Sequence, residues 1–498
     1  MKIKLIAPAR KPEWGESFWD LKTLCKLTGK KAGSVPLALP TLAALTPSDV
    51  EVVLTDENVE PIDFDEKVDL VGITGMTCSI SRSYEIADQF KKIGVPVVMG
   101  GIHVSMLPDE AIQHCDSVVI GEAEGIWEQV IRDAQKKNLQ KFYRTSDFPD
   151  LTNAPIPRWD LLKINQYLDF TIQTGRGCPY DCEFCSVKVF NGRKYRHKSI
   201  ENVIEEVKTL QKIDSRKIIF FTDDNLLAMP SYAEEFMKSL IPLKIRFWCQ
   251  APINKLKDDK ILKLMYAAGC RVVFIGFESV SQKSLDRMNK SHVNKVEEYK
   301  ETINKIHSNK IAVFGSFVLG GDADDENIFE ETSKFIDDTN IAFSMVNIIT
   351  PLPGTVLSQR LEKEGRILHK DWSKYNAENI CCKPHLISEK QLNEGHKEII
   401  QNIYSYNHIH KRLHNIWNRG VFVRDNDSFL GRFTKGRIIF SIKSILEFKK
   451  DRTFFVLRSL WNRNVTSVVS ILSALNYHDY TENLTIRSNH EGNSFTYR

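Results

Sequence analysis

Short apolar runs alternate with amphipathic stretches from the first residues of the chain onward. Lys2–Ala7, Val50–Thr55, Asp69–Thr74, Val95–Met99 and Ser117–Ile120 have the compact, β-branched character of buried strands. Helical periodicity fills Ser81–Ile93, Pro108–His114 and Gly125–Lys136. Strands alternating with helices predict a parallel, doubly wound sheet of flavodoxin-like type over residues 1–140. A proline-containing stretch without clear periodicity makes 141–167 a linker. A second alternation follows, with strands expected at 168–174, 217–222, 244–250, 271–277, 311–319 and 342–349. Helices are expected between them near 199–212, 231–240, 255–268, 295–308 and 325–338. Six βα units over 168–354 predict a partial barrel, open on one side, with its chemistry at the carboxyl ends of the strands. Residues 355–480 read as a mainly helical region and 481–498 as a loose tail.

Composition narrows the class. A chain of 498 residues is too long for one core, so several domains are expected. A hydrophobic fraction of 42% with 27% charged residues excludes wholesale disorder. A net charge of +4 is too small to imply a nucleic-acid partner. No apolar run reaches the length of a transmembrane helix, and the N-terminus reads as a strand rather than a signal peptide. Ten cysteines with three of them bunched suggest metal or redox chemistry in a reducing cytoplasm, not a disulfide framework.

The bunched cysteines carry the strongest signal. Gly175-Arg176-Gly177-Cys178-Pro179-Tyr180-Asp181-Cys182-Glu183-Phe184-Cys185 follows directly on a predicted strand, with spacing C-x3-C-x2-C. Thiolates ligate iron–sulfur clusters and soft metals. Three of them can hold three irons of a cubane and leave the fourth iron open to a ligand. A zinc site completed by His197 is the competing reading, weakened by the lack of a second paired-ligand unit.

This cluster motif after the first strand of a βα barrel, with Phe184 before the third cysteine, resembles the radical SAM superfamily. The resemblance implies a [4Fe-4S] cluster on Cys178, Cys182 and Cys185. Its open iron would chelate S-adenosylmethionine, whose reductive cleavage yields a 5′-deoxyadenosyl radical. Asp223 and Asp224, in Phe220-Phe221-Thr222-Asp223-Asp224-Asn225 at the second strand end, replace the usual Gly-Gly-Glu and would meet the amino group of S-adenosylmethionine. Glu278, in Gly276-Phe277-Glu278-Ser279, would meet its ribose or methionine portion. Capping the next helix is the plain alternative for these acids. Arg193 and Tyr195 match a recurring stretch after the cluster and would either fix its loop or form a solvated basic turn.

A doubly wound domain before such a barrel resembles the cobalamin-binding radical SAM enzymes over about residues 1–400. The strand ends carrying Thr74, then Gly100-Gly101-Ile102-His103, then Gly121-Glu122-Ala123-Glu124-Gly125 would face the corrinoid. The Asp-x-His-x-x-Gly signature of cobalt-ligating domains is absent, since Gly101 stands two residues before His103. No cobalt ligand is therefore named, and of a place near the corrin and a plain loop histidine, the second is the favoured reading of His103.

The resemblance implies a cobalamin-dependent C-methyltransferase acting on an unactivated carbon of a natural product or lipid, fed by a flavodoxin- or ferredoxin-type donor. Non-methylating radical chemistry such as cyclisation, ring contraction or carbon–carbon coupling is the alternative. A non-catalytic metal-binding protein is the remote one. Asp371-Trp372-Ser373-Lys374-Tyr375 and the residues after it resemble the segment that follows the barrel in hopanoid methylases. The basic, aromatic stretch 431–464 could rest on an anionic membrane surface or cover the barrel. The adjacent Cys381 and Cys382 suit an auxiliary cluster poorly, and Cys25, Cys78, Cys115, Cys249 and Cys270 read as buried fillers, although Cys249 at a strand end could approach the active site.

Overall fold

The structure is a computed structural model that describes residues 1–14, 17, 20–145 and 147–421. The basic stretch 431–464, the tail 481–498 and the rest of the expected helical region beyond residue 421 lie outside the described residues.

The N-terminal sheet contains β1 (Lys2–Ala7), β2 (Glu51–Asp56), β3 (Leu70–Thr74), β4 (Val97–Gly100), β5 (Ser117–Ile120) and β6 (Phe142–Arg144). All pairings are parallel, in the order β2-β1-β3-β4-β5-β6. The order reverses between β1 and β3, the switch point where such sheets bind ligands. Helices lie on both faces, and β1 and β3 are accordingly buried almost throughout, Lys4 included. The helix Ile80–Lys92 turns Ile80, Tyr84, Ala87 and Phe90 inward, at the spacing of one helical face. The strand β6 falls inside the stretch expected as a linker. It lies beside β5 through Val118, Val119 and Ile120, and buries only Tyr143.

The second sheet contains β7 (Phe170–Ile172), β10 (Ile219–Phe221), β11 (Phe247–Gln250), β12 (Cys270–Glu278), β13 (Ala312–Leu319) and β14 (Phe343–Ile348). A two-stranded hairpin of β8 (Gly175–Arg176) and β9 (Arg196–His197) stands between β7 and β10. The six long-range strands are parallel and ordered β14-β13-β12-β11-β10-β7. β7 and β14 remain unpaired with one another, so the barrel is partial, as its six βα units predict. Every residue of β13 is buried, on both faces. Three of the connecting helices begin at side-chain caps, Ser199 on Asn202 N–H, Asp258 on Lys260 N–H and Ser281 on Ser284 N–H.

A loop of the first domain flanks the free edge of β7. Ala32 bridges Tyr167, and the N–H of Val35 donates to Thr171 Oγ1 at 3.1 Å. The Tyr167 hydroxyl returns to Asp56 Oδ2 at 2.9 Å. After the barrel, the chain forms helices Val356–Lys363, Glu389–Ile403 and Tyr406–Asn418. Before the last two, Trp372 reaches back to the first domain, its Nε1 donating to Glu110 Oε1 at 3.0 Å. Among the described residues no helix is long and apolar enough to cross a membrane.

Candidate functional site

The three-cysteine loop leaves the barrel from β7 and is shaped by glycine. Gly177 lies at φ 97°, and a Cβ there would come within 2.3 Å of the Lys194 carbonyl oxygen. Only glycine therefore lets the hairpin close immediately before Cys178. The N–H of Cys178 donates to Gly192 O and that of Cys185 to Cys182 O, both at 3.2 Å. Cys182 is buried, and Cys178 and Cys185 are half-buried. Burial pushes all three thiols up, Cys185 to about 12. Working the other way are the backbone N–H groups of Tyr180 on Cys178 and Val187 on Cys185, and the ammonium of Lys290 on all three.

These donors suit a cluster better than a single ion. Among the described residues no three His, Cys, Asp or Glu side chains close around one metal. His197 is engaged elsewhere, stacked on Tyr232 at 4.0 Å with Nδ1 against Lys198 O. A cubane spreads its thiolates over separate irons, and N–H groups and a cation aimed at the sulfurs stabilise the charge it brings. Phe184 packs at the edge of an apolar cluster with Met288, Leu357 and Leu361, which seals the loop from behind.

The two aspartates of the second strand end take different positions. Asp223 is fully buried and accepts from Thr174 N at 2.9 Å, Thr174 Oγ1 at 2.6 Å and the Tyr195 hydroxyl at 3.0 Å. It pins the exit of β7 and the cluster hairpin together, and has little capacity left for a ligand. Asp224 keeps Oδ2 without a partner, and its carboxyl is pushed up to about 6 by burial and by Asp223. Glu278 ends β12 at φ 63°, where the register with β13 slips. Its carboxylate folds over Gly276, whose absent Cβ would meet Oε1 at 2.3 Å. Oε1 lies 3.3 Å from Lys290 Nζ. Burial works against the Lys290 ammonium, yet Glu278, Cys182 and Cys185 outweigh it and hold the group above its ordinary range.

On the other side, a cavity of about 1680 Å³ joins the two sheets. Thr74, Gly100, Gly101 and Gly121 line it from the strand ends of the first domain, and Gln173, Thr222 and Trp248 from the barrel. Gly101 sits at φ 100°, where a Cβ would press within 3.0 Å on Gly75 and Thr74, and Gly121 at φ 88° faces open space. Glycines at the ends of neighbouring strands make a floor that a broad, flat group can approach closely. His103 is not part of that floor. It is buried, with Nδ1 3.2 Å from Thr77 Oγ1, Nε2 3.3 Å from Glu110 Oε1 and its ring against Trp372. Glu122 lines the cavity but is taken up by Arg176 and Arg196. Lys290, Thr174, Arg176 and Arg196 go unnoticed in the sequence. Arg176 stands inside the cluster motif, but its partner lies 54 residues away, beyond any local pattern.

A parallel barrel with three cysteines on the loop after its first strand defines a radical SAM protein. The sequence profile of the radical SAM superfamily matches residues 172–336, that of the B12 binding domain 33–131, and a domain of unknown function 355–467. Bacteriochlorophyllide d C-12(1)-methyltransferase of Chlorobaculum tepidum is 31% identical over 394 residues, covering 77% of this chain and 85% of its own. The hopanoid C-2 methylase of Rhodopseudomonas palustris is 30% identical over 373 residues, 72% of this chain and 70% of its own. An anaerobic magnesium-protoporphyrin IX monomethyl ester cyclase of Cereibacter sphaeroides is 25% identical over 418 residues, 76% of this chain and 65% of its own. The cobalamin-dependent S-adenosylmethionine radical enzyme OxsB, solved with aqua-cobalamin bound, shares the fold at TM-score 0.63 and 15% identity, over 98% of this chain and 80% of its own. The chain belongs to the B12-binding branch of the radical SAM enzymes. The cofactors of that branch are S-adenosylmethionine, a [4Fe-4S] cluster and cobalamin, and both domains that hold them are present.

Proposed function

We propose that this chain is a cobalamin-dependent radical SAM C-methyltransferase for a large, apolar natural product. The observation that carries the reading is the shared cavity, in which strand ends of the B12-binding sheet and of the barrel line one space beside the cluster hairpin. When bound, the cluster supplies the electron that cleaves S-adenosylmethionine to a carbon radical, and the corrinoid supplies a methyl carrier for carbons without a lone pair.

The residues divide the work. Cys178, Cys182 and Cys185 hold the cluster, with Lys290 against their charge. Asp224 and Glu278 receive the polar end of S-adenosylmethionine, while Asp223 fixes the loop that carries the cluster. Thr74, Gly100, Gly101 and Gly121 form the floor for the corrinoid. The barrel wall suits an apolar, ring-bearing substrate: Phe220 and Trp248 stack at 3.5 Å, and Phe274 meets Phe314 edge-on at 5.1 Å, all four lining the cavity. A tetrapyrrole carboxylate or a polycyclic lipid, the substrate types named for the curated relatives, has that character. Such walls also keep water from a radical. A cytoplasmic setting and a one-electron donor of flavodoxin or ferredoxin type complete the reading.

The test begins with anaerobic purification from cells supplied with cobalamin, followed by iron, sulfide and corrinoid analysis. Tetrapyrrole and polycyclic lipid acceptors are then offered with S-adenosylmethionine bearing a deuterated methyl group. Label in the acceptor, with both S-adenosylhomocysteine and 5′-deoxyadenosine released, supports the methylase. Deoxyadenosine with an unlabelled, cyclised product supports ring formation, which the cyclase relative favours. Iron without corrinoid would sink the methylase reading.

A further inference from the structure

The phrase Gly121-Glu122-Ala123-Glu124-Gly125 ends β5 at the floor of the cavity, yet both of its acids reach across to the barrel. Glu122 Oε2 accepts from Arg176 Nη1 at 2.8 Å and from Arg196 Nη1 at 3.0 Å, and its Oε1 pairs with Arg196 Nη2 at 2.5 Å. Glu124 Oε1 takes Arg176 Nη2 at 2.6 Å. Gln173 accepts from the remaining Arg176 Nε at 2.7 Å. One carboxylate therefore bridges two guanidiniums, and a second one holds the first of them. Side-chain exposures of 2% for Glu122, 11% for Arg196, 12% for Glu124 and 17% for Arg176 keep water from competing. Burial alone would raise the Glu124 carboxyl, but Arg176 more than offsets it and holds the group below the usual carboxylate range.

The two arginines face each other in the β8–β9 hairpin, and Arg176 stands two residues before Cys178. On its other side the same hairpin is pinned to the barrel through Thr174, Tyr195 and Asp223. The cluster loop is thus held between two buried carboxylate anchors, one in each domain. Guanidinium–carboxylate forks have fixed geometry, and removing one partner from a buried pair leaves the other charge unpaired at high cost.

We propose that Glu122 and Glu124 are positioning residues that set the separation and orientation of the cluster loop relative to the corrinoid floor. The inference rests on the reading that a corrinoid lies at these strand ends. It does not require either acid to touch a cofactor.

The test uses the full chain loaded with cluster and corrinoid, as wild type, Glu122→Gln and Glu122→Asp, with iron and corrinoid content measured first. With cobalt in its paramagnetic Co(II) state, the microwave power saturation of its signal is compared with the cluster oxidised and reduced. Reduction of a nearby cluster speeds cobalt spin relaxation in wild type. In Glu122→Gln at unchanged cofactor content the enhancement falls, because relaxation by a neighbouring paramagnet depends steeply on separation and orientation, and Glu122→Asp recovers part of it. Equal enhancement in wild type and Glu122→Gln overturns the inference. If Glu122→Gln does not fold, Glu124→Gln, which breaks a single ion pair, is read by the same criterion. A wild-type chain with cluster but no corrinoid would overturn the functional reading instead. The clamp is then judged by the reduced cluster's own line shape, which changes in Glu122→Gln if the hairpin moves and rules out the inference if it does not.

Discussion

Replacing Gly177 by alanine should cost the protein both stability and its cluster, through two separable effects. At φ 97° an alanine backbone is strained, and its Cβ would stand 2.3 Å from the Lys194 carbonyl oxygen. The strain costs about 1–2 kcal/mol, and overpacking against backbone that cannot rotate away adds about 1–3 kcal/mol. Gly94 provides the control, since at φ 80° it has no atom within 4 Å of the added Cβ. Gly94→Ala should therefore lose only the strain, about 1 kcal/mol. Denaturant unfolding of both variants, with iron content after anaerobic reconstitution, separates the effects. The expected outcome is a Gly177→Ala chain about 2 kcal/mol less stable than Gly94→Ala and depleted in iron, while Gly94→Ala loads fully. Equal stability and equal iron in the two variants would refute the steric account of the hairpin.

Alanine at Cys178, Cys182 or Cys185 should each abolish 5′-deoxyadenosine formation, measured by chromatography; full production by any one would remove it from the ligand set. Lys290→Met should make the cluster harder to reduce, because a buried cation beside Cys182 and Cys185 favours the added electron. A smaller cluster EPR signal at fixed dithionite checks this, and an unchanged signal contradicts it. Burial lowers His307 and His396 to about 4, from an ordinary value of 6.5. Both rings are neutral in the fold, so the unfolded chain takes up protons first as pH falls. Stability is lost between pH 6.5 and 4, about 2 kcal/mol from each histidine at pH 5. His396→Gln should flatten that slope in denaturant titrations at pH 7 and 5, and an unaltered slope would exclude His396 as a source.

Legibility followed the length scale of each interaction. Lys2–Ala7 and Ser117–Ile120 coincide with β1 and β5 because apolar runs buried on both faces read plainly. Three residues such as Phe142–Arg144 carry no period, and their strand exists only because β5 offers an edge. The cysteine loop is local and needs no folding to be recognised. The acids around it are different. Asp223 and Asp224 are neighbours in sequence, but folding gives one to Thr174 and Tyr195 and leaves the other half-partnered. His103 and Glu122 stand at the strand ends where a corrinoid floor is expected, and tertiary partners claim both: Glu110 and Trp372 for one, Arg176 and Arg196 for the other. A motif places a residue near a ligand; only packing decides which way its polar atoms are spent.

Besides the Glu122 and Glu124 ion pairs, the first domain is grasped from two further directions. Ahead of the barrel, Ala32 and Asp56 engage Tyr167, and behind it Trp372 bonds Glu110. A domain on one tether can swing open like a door, whereas one fastened at both edges cannot do so without releasing a latch. The Trp372 contact is a short segment with a few hydrogen bonds, while the Tyr167 side is built into the β7 edge. The Glu122 and Glu124 ion pairs stand between these two fastenings, so freeing the 371–375 segment alone would not part the two sheets.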